Sequence, residues 1–245
     1  MCNFTIRKNH RVMTIEVCCG HVEAACIAAK AGADRIELCS ALALGGITPT
    51  PRHIELVKQS IDIPVMVLVR PREGHFSYTS KEKELYLAEI KSTLEAGAHG
   101  IVIGALTDEG NLDLDFLSAA QSLIDNQTIC LHRCFDFLEN PLDDVTKLIS
   151  IGFDRILTSG MKTTALEGKQ FIKDLIETVD DKIEILAGGG ITKDNIQSLV
   201  NHTGLNQVHL SAKSKEKTPR RSGPFDTSLY TPSESDIKTI KSYYA

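Results

Sequence analysis

The chain has 245 residues, 27 Lys and Arg against 32 Asp and Glu, a formal net charge of −5, and 42% apolar and 24% charged residues. That length suits one large α/β domain, and the mild acidity leaves no electrostatic footprint for nucleic acid. Trp is absent and aromatics make up 5%, so the core is aliphatic, and no run reaches the length of a membrane span.

The opening dozen residues, MCNFTIRKNHRV, read as an extension and lack the apolar stretch of a secretory leader. The seven cysteines are an odd number and mostly sit in apolar runs, which points to reduced thiols in a cytoplasmic protein. For any one of them alone, a small buried hydrophobe is the commoner role. The first strand, MTIEVCC, begins near residue 13, and a helical pattern, HVEAACIAAKAG, follows. The second strand lies in AGADRIEL from Ala31, the first of four related units, the others being AGAHGIVI from Ala96, IGFDRILT from Ile151 and TGLNQVHL from Thr203. In each, a Gly caps a preceding helix in the left-handed conformation and a β-branched-rich run follows as a strand. Strands of a second kind alternate with them: PVMVLVRP, TICLHRCFD and IEILAGGG, each entered through a short Asp-containing turn.

The eight strands start near residues 13, 35, 65, 100, 129, 155, 184 and 207. Between them lie the helical segments KEKELYLAEIKSTLEAG, PLDDVTKLISIG (opened by Pro141) and TKDNIQSLVNHTG (capped by Thr192). Eight strands alternating with helices predict one (β/α)8 barrel over the whole chain, with a doubly wound open sheet as runner-up. Residues 213–232 form a long polar loop before a last helix, ESDIKTIKSYY. It reads as a solvated loop, with a lid over the barrel as the functional alternative.

Active sites of such barrels gather at the C-terminal ends of the strands. Strands one and two both carry Glu-x-Cys, with Glu16 beside Cys18 and Glu37 beside Cys39, each pair on one face. Strand three ends with Arg70 and Arg72 on one face. Strand five is read as extending through Cys130, His132, Cys134 and Asp136 on one face with Arg133 on the other, and strand six ends at Ser159. So many ionisable groups at one mouth cost several kcal/mol each to desolvate unless they pair or hold a ligand. Gly188, Gly189 and Gly190 precede a helix expected to start near Thr192. Backbone N–H groups there, with the Ser211 hydroxyl, are expected to bind phosphate or a similar anion. No zinc-type Cys-x-x-Cys pair, Walker motif, nucleophile elbow or dinucleotide fingerprint is present.

The stretches IEVC, GADRIELCSALALGGITP, IPVMVLVRPREGHFSY, GALTDEGNLD, LHRCFD, GFDRILTSG, ALEG and GGGIT together resemble the CutC copper homeostasis family over residues 13 to 212, most of all its animal members. The resemblance implies a barrel that forms homodimers or homotetramers, is cytoplasmic and in animals also nuclear, and binds Cu(I) through two cysteines, here Cys18 and Cys39. This chain departs from the family pattern at Glu73 and His75 in RPREGHF and at Leu131 and Cys134 in LHRCFD. Facing thiolates on neighbouring strands suit a soft monovalent ion. The glutamates one pleat lower are placed to anchor Arg70 or Arg72.

Two functions stand beside each other. One is copper homeostasis with Cu(I) held by Cys18 and Cys39. The other is an enzyme on a small anionic metabolite. There Glu16, Glu37, His132 or Asp136 does acid–base work, while Arg70, Arg72, Ser159, Gly188–Gly190 and Ser211 hold the anion. Neither calls for nucleic acid or a membrane as partner. A rigid scaffold for partners is the third and blandest reading, and the charged mouth weighs against it.

Overall fold

The computed structural model describes residues 13–214 and 229–244. The expected N-terminal extension and most of the expected polar loop before the last helix lie outside those residues. Eight parallel strands close into a barrel in sequence order: β1 (Thr14–Cys19), β2 (Arg35–Leu38), β3 (Val65–Leu68), β4 (Gly100–Ile103), β5 (Thr128–Leu131), β6 (Arg155–Thr158), β7 (Glu184–Gly188) and β8 (Gln207–Leu210). The helices are α1 (Val22–Lys30), α2 (Pro51–Ser60), α3 (Ser80–Glu95), α4 (Leu114–Gln121), α5 (Pro141–Ile151), α6 (Lys169–Val179), α7 (Ile196–Thr203) and α8 (Glu234–Ser242). The (β/α)8 barrel is thus the architecture, and no helix among the described residues is long and apolar enough to cross a membrane.

Local chemistry explains the element ends. Gly152 and Gly204 terminate α5 and α7 in the left-handed conformation. Thr79 and Glu82 exchange side-chain and backbone hydrogen bonds at the start of α3, a reciprocal capping box. Pro141 opens α5, where its missing N–H costs nothing. Thr192 does not cap α7: that helix begins four residues later, after Asn195, and the Thr192 hydroxyl accepts the Asp194 N–H in the intervening turn.

The barrel sorts its side chains by strand parity. Ile15, Val17, Cys19, Ile36 and Leu38 point outward and pack beneath the helices in the main core. The opposite faces fill the barrel interior, where Cys39, Met66, Leu68, Val102, Cys130, Leu157 and Leu186 form a second apolar cluster, with Cys18 packed against it. Interior glycines make room for this filling. A Cβ on Gly100 would lie 2.4 Å from the Met66 methyl and 2.6 Å from the Thr128 carbonyl oxygen. Met66 is flexible, but the strand carbonyl is not. Gly100→Ala should therefore lower the free energy of unfolding by about 1–3 kcal/mol, read as a drop in the urea midpoint at unchanged slope.

Candidate metal centre

β1 and β2 pair so that Glu16 sits opposite Arg35 and Cys18 opposite Glu37. Cys39, one pleat above Glu37, then leans across to Cys18, and their sulfurs are 3.5 Å apart. β8 closes the barrel against β1 and sets His209 opposite Glu16. The His209 Nδ1 lies 2.7 Å from Glu16 Oε1, while Nε2 faces Glu37 at 3.4 Å. The Cys18 sulfur, a Glu37 oxygen and a His209 nitrogen all fall within 4.8 Å of one another. Glu16 also accepts from Arg35 Nε, and the other arm of Arg35 donates to Gln207 Oε1 at 2.7 Å.

Burial and charge set the protons in this cluster. Burial opposes ionisation of Glu16, but the His209 hydrogen bond and the Arg35 charge outweigh it and pull the carboxyl down to about 2. Glu37 has no such direct arginine partner, and burial pushes it up to about 7. Burial also works against a charged His209. The carboxylate of Glu37, the Cys18 contact and Glu16 together reverse that and raise the imidazole well above its ordinary range. The Cys18 thiol is raised by its contact with Cys39 and then by burial. The charged ring gives its Nδ1–H to the Glu16 carboxylate and directs its Nε2–H at Cys18 and Glu37, so the Nε2 proton is the one a metal would displace. His209 was not singled out from the sequence. The signal was there, because Gln207, His209 and Ser211 alternate along the last strand and its exit.

The other expected residues scatter. The glutamates anchor neither Arg70 nor Arg72; Arg35 takes that place. Arg72 points away to the start of α3, where it pairs with Glu82 and donates to the carbonyls of His75 and Ser77 at 2.9 and 2.7 Å. β5 stops at Leu131, and residues 133–137 turn as a 3-10 segment, so strand five does not extend through Asp136. Cys130 stays in the interior cluster, whereas Cys134 packs into the outer core, and His132 is buried against Phe76. Arg133 and Asp136 are not on opposite faces but form an ion pair at 2.8 Å. Asp136 further accepts from the Thr158 hydroxyl and from the backbone N–H groups of Ser159 and Met161, which fastens the loop after β6. The Ser159 hydroxyl donates to Asp136 at 3.0 Å and accepts from Arg133 at 2.6 Å.

Each of the three glycines has a packing role. A Cβ on Gly188 would stand 2.7 Å from Leu157 and 3.4 Å from His209, so this glycine admits both into the barrel. Gly189 and Gly190 have φ of 103° and 69°, which side chains rarely adopt. The Gly189 carbonyl accepts from Ala165 N–H at 2.9 Å, and that of Gly190 accepts from the Asn195 amide at 2.8 Å. Ser211 lies half-buried just beyond β8.

The sequence model described as the CutC family matches residues 13–214. The chain belongs to the CutC family. The human copper homeostasis protein cutC homolog is 42% identical over 200 residues, spanning 82% of this chain and 73% of that protein. The family protein CutC of Pasteurella multocida is 40% identical over 204 residues, covering 82% of each chain. Among solved structures, one named for the CutC copper homeostasis protein of Streptococcus agalactiae superposes with a TM-score of 0.77 at 30% identity, covering 81% of this chain and 98% of that one. More distant barrels share the fold alone, among them thiamine phosphate pyrophosphorylase from Pyrococcus furiosus at 15% identity and a TM-score of 0.61.

His132 gives this region a pH signature. Burial, then the neighbouring Arg70 charge, lowers its imidazole to about 3. The folded ring stays neutral where the unfolded one, near 6.5, takes a proton. Its contribution to stability is complete above pH 6.5 and is lost as pH falls toward 3, at about 1.4 kcal/mol per pH unit. Between pH 7.5 and pH 5 the wild type should lose about 2 kcal/mol from this residue. Urea unfolding at the two pH values should show that part of the loss disappearing in His132→Asn.

Proposed function

We propose that this member of the family binds Cu(I) as its cargo through the sulfurs of Cys18 and Cys39, with Nε2 of His209 as a third donor. The observation that carries the reading is the hydrogen bond from His209 Nδ1 to Glu16. Histidines that ligate metals almost always give their other N–H to a carboxylate or carbonyl, which fixes the tautomer and turns the free nitrogen toward the ion. Glu16 does this here, itself held by Arg35. Two sulfurs 3.5 Å apart lie within reach of one ion, metal–sulfur bonds being about 2.3 Å. Two soft thiolates with an imidazole favour a soft ion over a hard one. Glu37, an oxygen donor whose proton burial favours, adds little to a soft ion.

The ion must displace protons from Cys18 and from His209, both of which hold them more firmly than usual. Binding therefore releases protons and weakens as pH falls. Anaerobic titration of the reduced protein against a coloured Cu(I) chelator should give one ion per chain. Cys18→Ser and Cys39→Ser should each remove tight binding, and Cys26→Ser on α1 should keep it. Glu16→Gln, which keeps the shape of the side chain, should weaken binding by about 10–100-fold. Unchanged stoichiometry in the Cys18→Ser, Cys39→Ser double variant would overturn the site.

A further inference from the structure

The buried arginines of the described chain differ in one respect. Arg35 meets Glu16 and Arg155 meets Glu184. Arg70, only 7% exposed, meets no carboxylate among the described residues. Its two terminal nitrogens donate to the carbonyls of Leu44, Gly46 and Gly74 at 3.3, 2.9 and 2.7 Å, and its Nε finds no protein partner there. Buried charges are ordinarily paired, because desolvating one alone costs several kcal/mol.

Two further buried donors beside Arg70 are in the same condition. The Tyr78 hydroxyl, whose oxygen faces the Arg70 guanidinium, and the His132 Nε2 find no acceptor among the described residues. The tautomer of His132 follows from its other nitrogen. Nδ1 accepts the Cys134 N–H at 3.0 Å, so the proton of the neutral ring sits on Nε2. Burial raises Tyr78 to about 12 against the pull of Arg70 and Arg72, so it remains a hydroxyl. The ring of Phe76 lies against two of the three. It lies 5.2 Å from the Arg70 guanidinium carbon and 4.7 Å from the His132 ring. Phe76 sits on a segment without regular structure, against the exposed Phe137.

We propose that Arg70 Nε and His132 Nε2, just beyond β3 and β5, and Tyr78 Oη, just before α3, form the binding site of a small monocarboxylate admitted when the Phe76 ring swings aside. All three groups donate and none needs to accept, which selects an acceptor-only ligand. A carboxylate presents several lone-pair sites to receive them. The formal charge of the three is +1, which one carboxylate neutralises and a phosphate dianion exceeds. The site is independent of the copper reading, since none of its donors belongs to the thiol cluster.

The test uses the full chain with 15N-labelled histidine at pH 7.5, the His132 ring resonance being assigned with His132→Asn. Sodium acetate is titrated against sodium chloride at constant ionic strength, and calorimetry supplies the affinity. The His132 Nε2 resonance should shift saturably with acetate. Tyr78→Phe, which removes only a hydroxyl, should weaken binding about tenfold, the weight of one hydrogen bond to a charged group. Arg70→Gln should abolish the shift, and Phe76→Ala should bind at least as tightly as wild type. An unmoved His132 resonance would show that the donors serve ordered water and overturn the proposal. So would an unchanged affinity in Tyr78→Phe, or inorganic phosphate binding more tightly than acetate. Loss of Cu(I) binding in Cys18→Ser, Cys39→Ser with acetate binding intact would keep the two sites distinct.

Discussion

One buried carboxylate ties the barrel together. Glu16 on β1 accepts from Arg35 on β2 and from His209 on β8, so the first, second and last strands meet on a single side chain. At 2% exposure, a lone carboxylate would be costly, and removing one partner of such a buried pair typically destabilises by about 3–5 kcal/mol. The same bonds decide chemistry. They keep Glu16 ionised, hold the Nδ1 proton of His209 in place and turn Nε2 to the sulfur side of the barrel. What closes the fold is also what orients the nitrogen.

The rest of the interior sharpens these effects. Met66, Leu68, Val102, Leu157 and Leu186 exclude water around the polar groups. Burial is accordingly the leading influence that raises Glu37, Cys130 and Cys134 and lowers His132. Where a formal partner stands close by, as for Glu16, the partner wins; where none does, the group gives up its charge. Arg155 follows the first rule, bound to Glu184 through two nitrogens at 2.9 and 2.6 Å. An arginine cannot follow the second, and that leaves Arg70 as the exception, a cation that stays charged with no carboxylate partner among the described residues.

The fold was legible because alternation of strand and helix is a local signal, and left-handed Gly32, Gly97, Gly152 and Gly204 stand at the ends of α1, α3, α5 and α7. Both cysteines and both glutamates were legible as a face, since residues two apart on a strand share one. Partnerships between strands were not. That Glu16 would meet Arg35 depends on a register fixed by barrel closure, and that His209 would join them depends on β8 returning to β1. The packing role of the triple glycine was hidden for the same reason. Its first member exists to admit Leu157 from β6 and His209 from β8, neighbours that no window of sequence contains. The extension of strand five through Asp136 failed for a local reason: His132 accepts the Cys134 N–H and starts a tight turn, so the alternation stops there.

The loop after β2 joins the two parts of the mouth. Ser40 and Ile47 exchange backbone hydrogen bonds at 2.9 and 2.8 Å, which folds the intervening residues back over the barrel. Within that fold, Gly46 has φ of 89°, and a Cβ there would stand 2.7 Å from Leu68 and 3.4 Å from the Cys39 Cβ. Its carbonyl receives Arg70. One residue without a side chain thus packs beside Cys39 and gives its oxygen to the Arg70 guanidinium. Close packing transmits such displacements rather than absorbing them. A shift of Cys39 has the Gly46 backbone as its neighbour, and among the described residues that backbone supplies one of the three carbonyl oxygens that receive the Arg70 side chain.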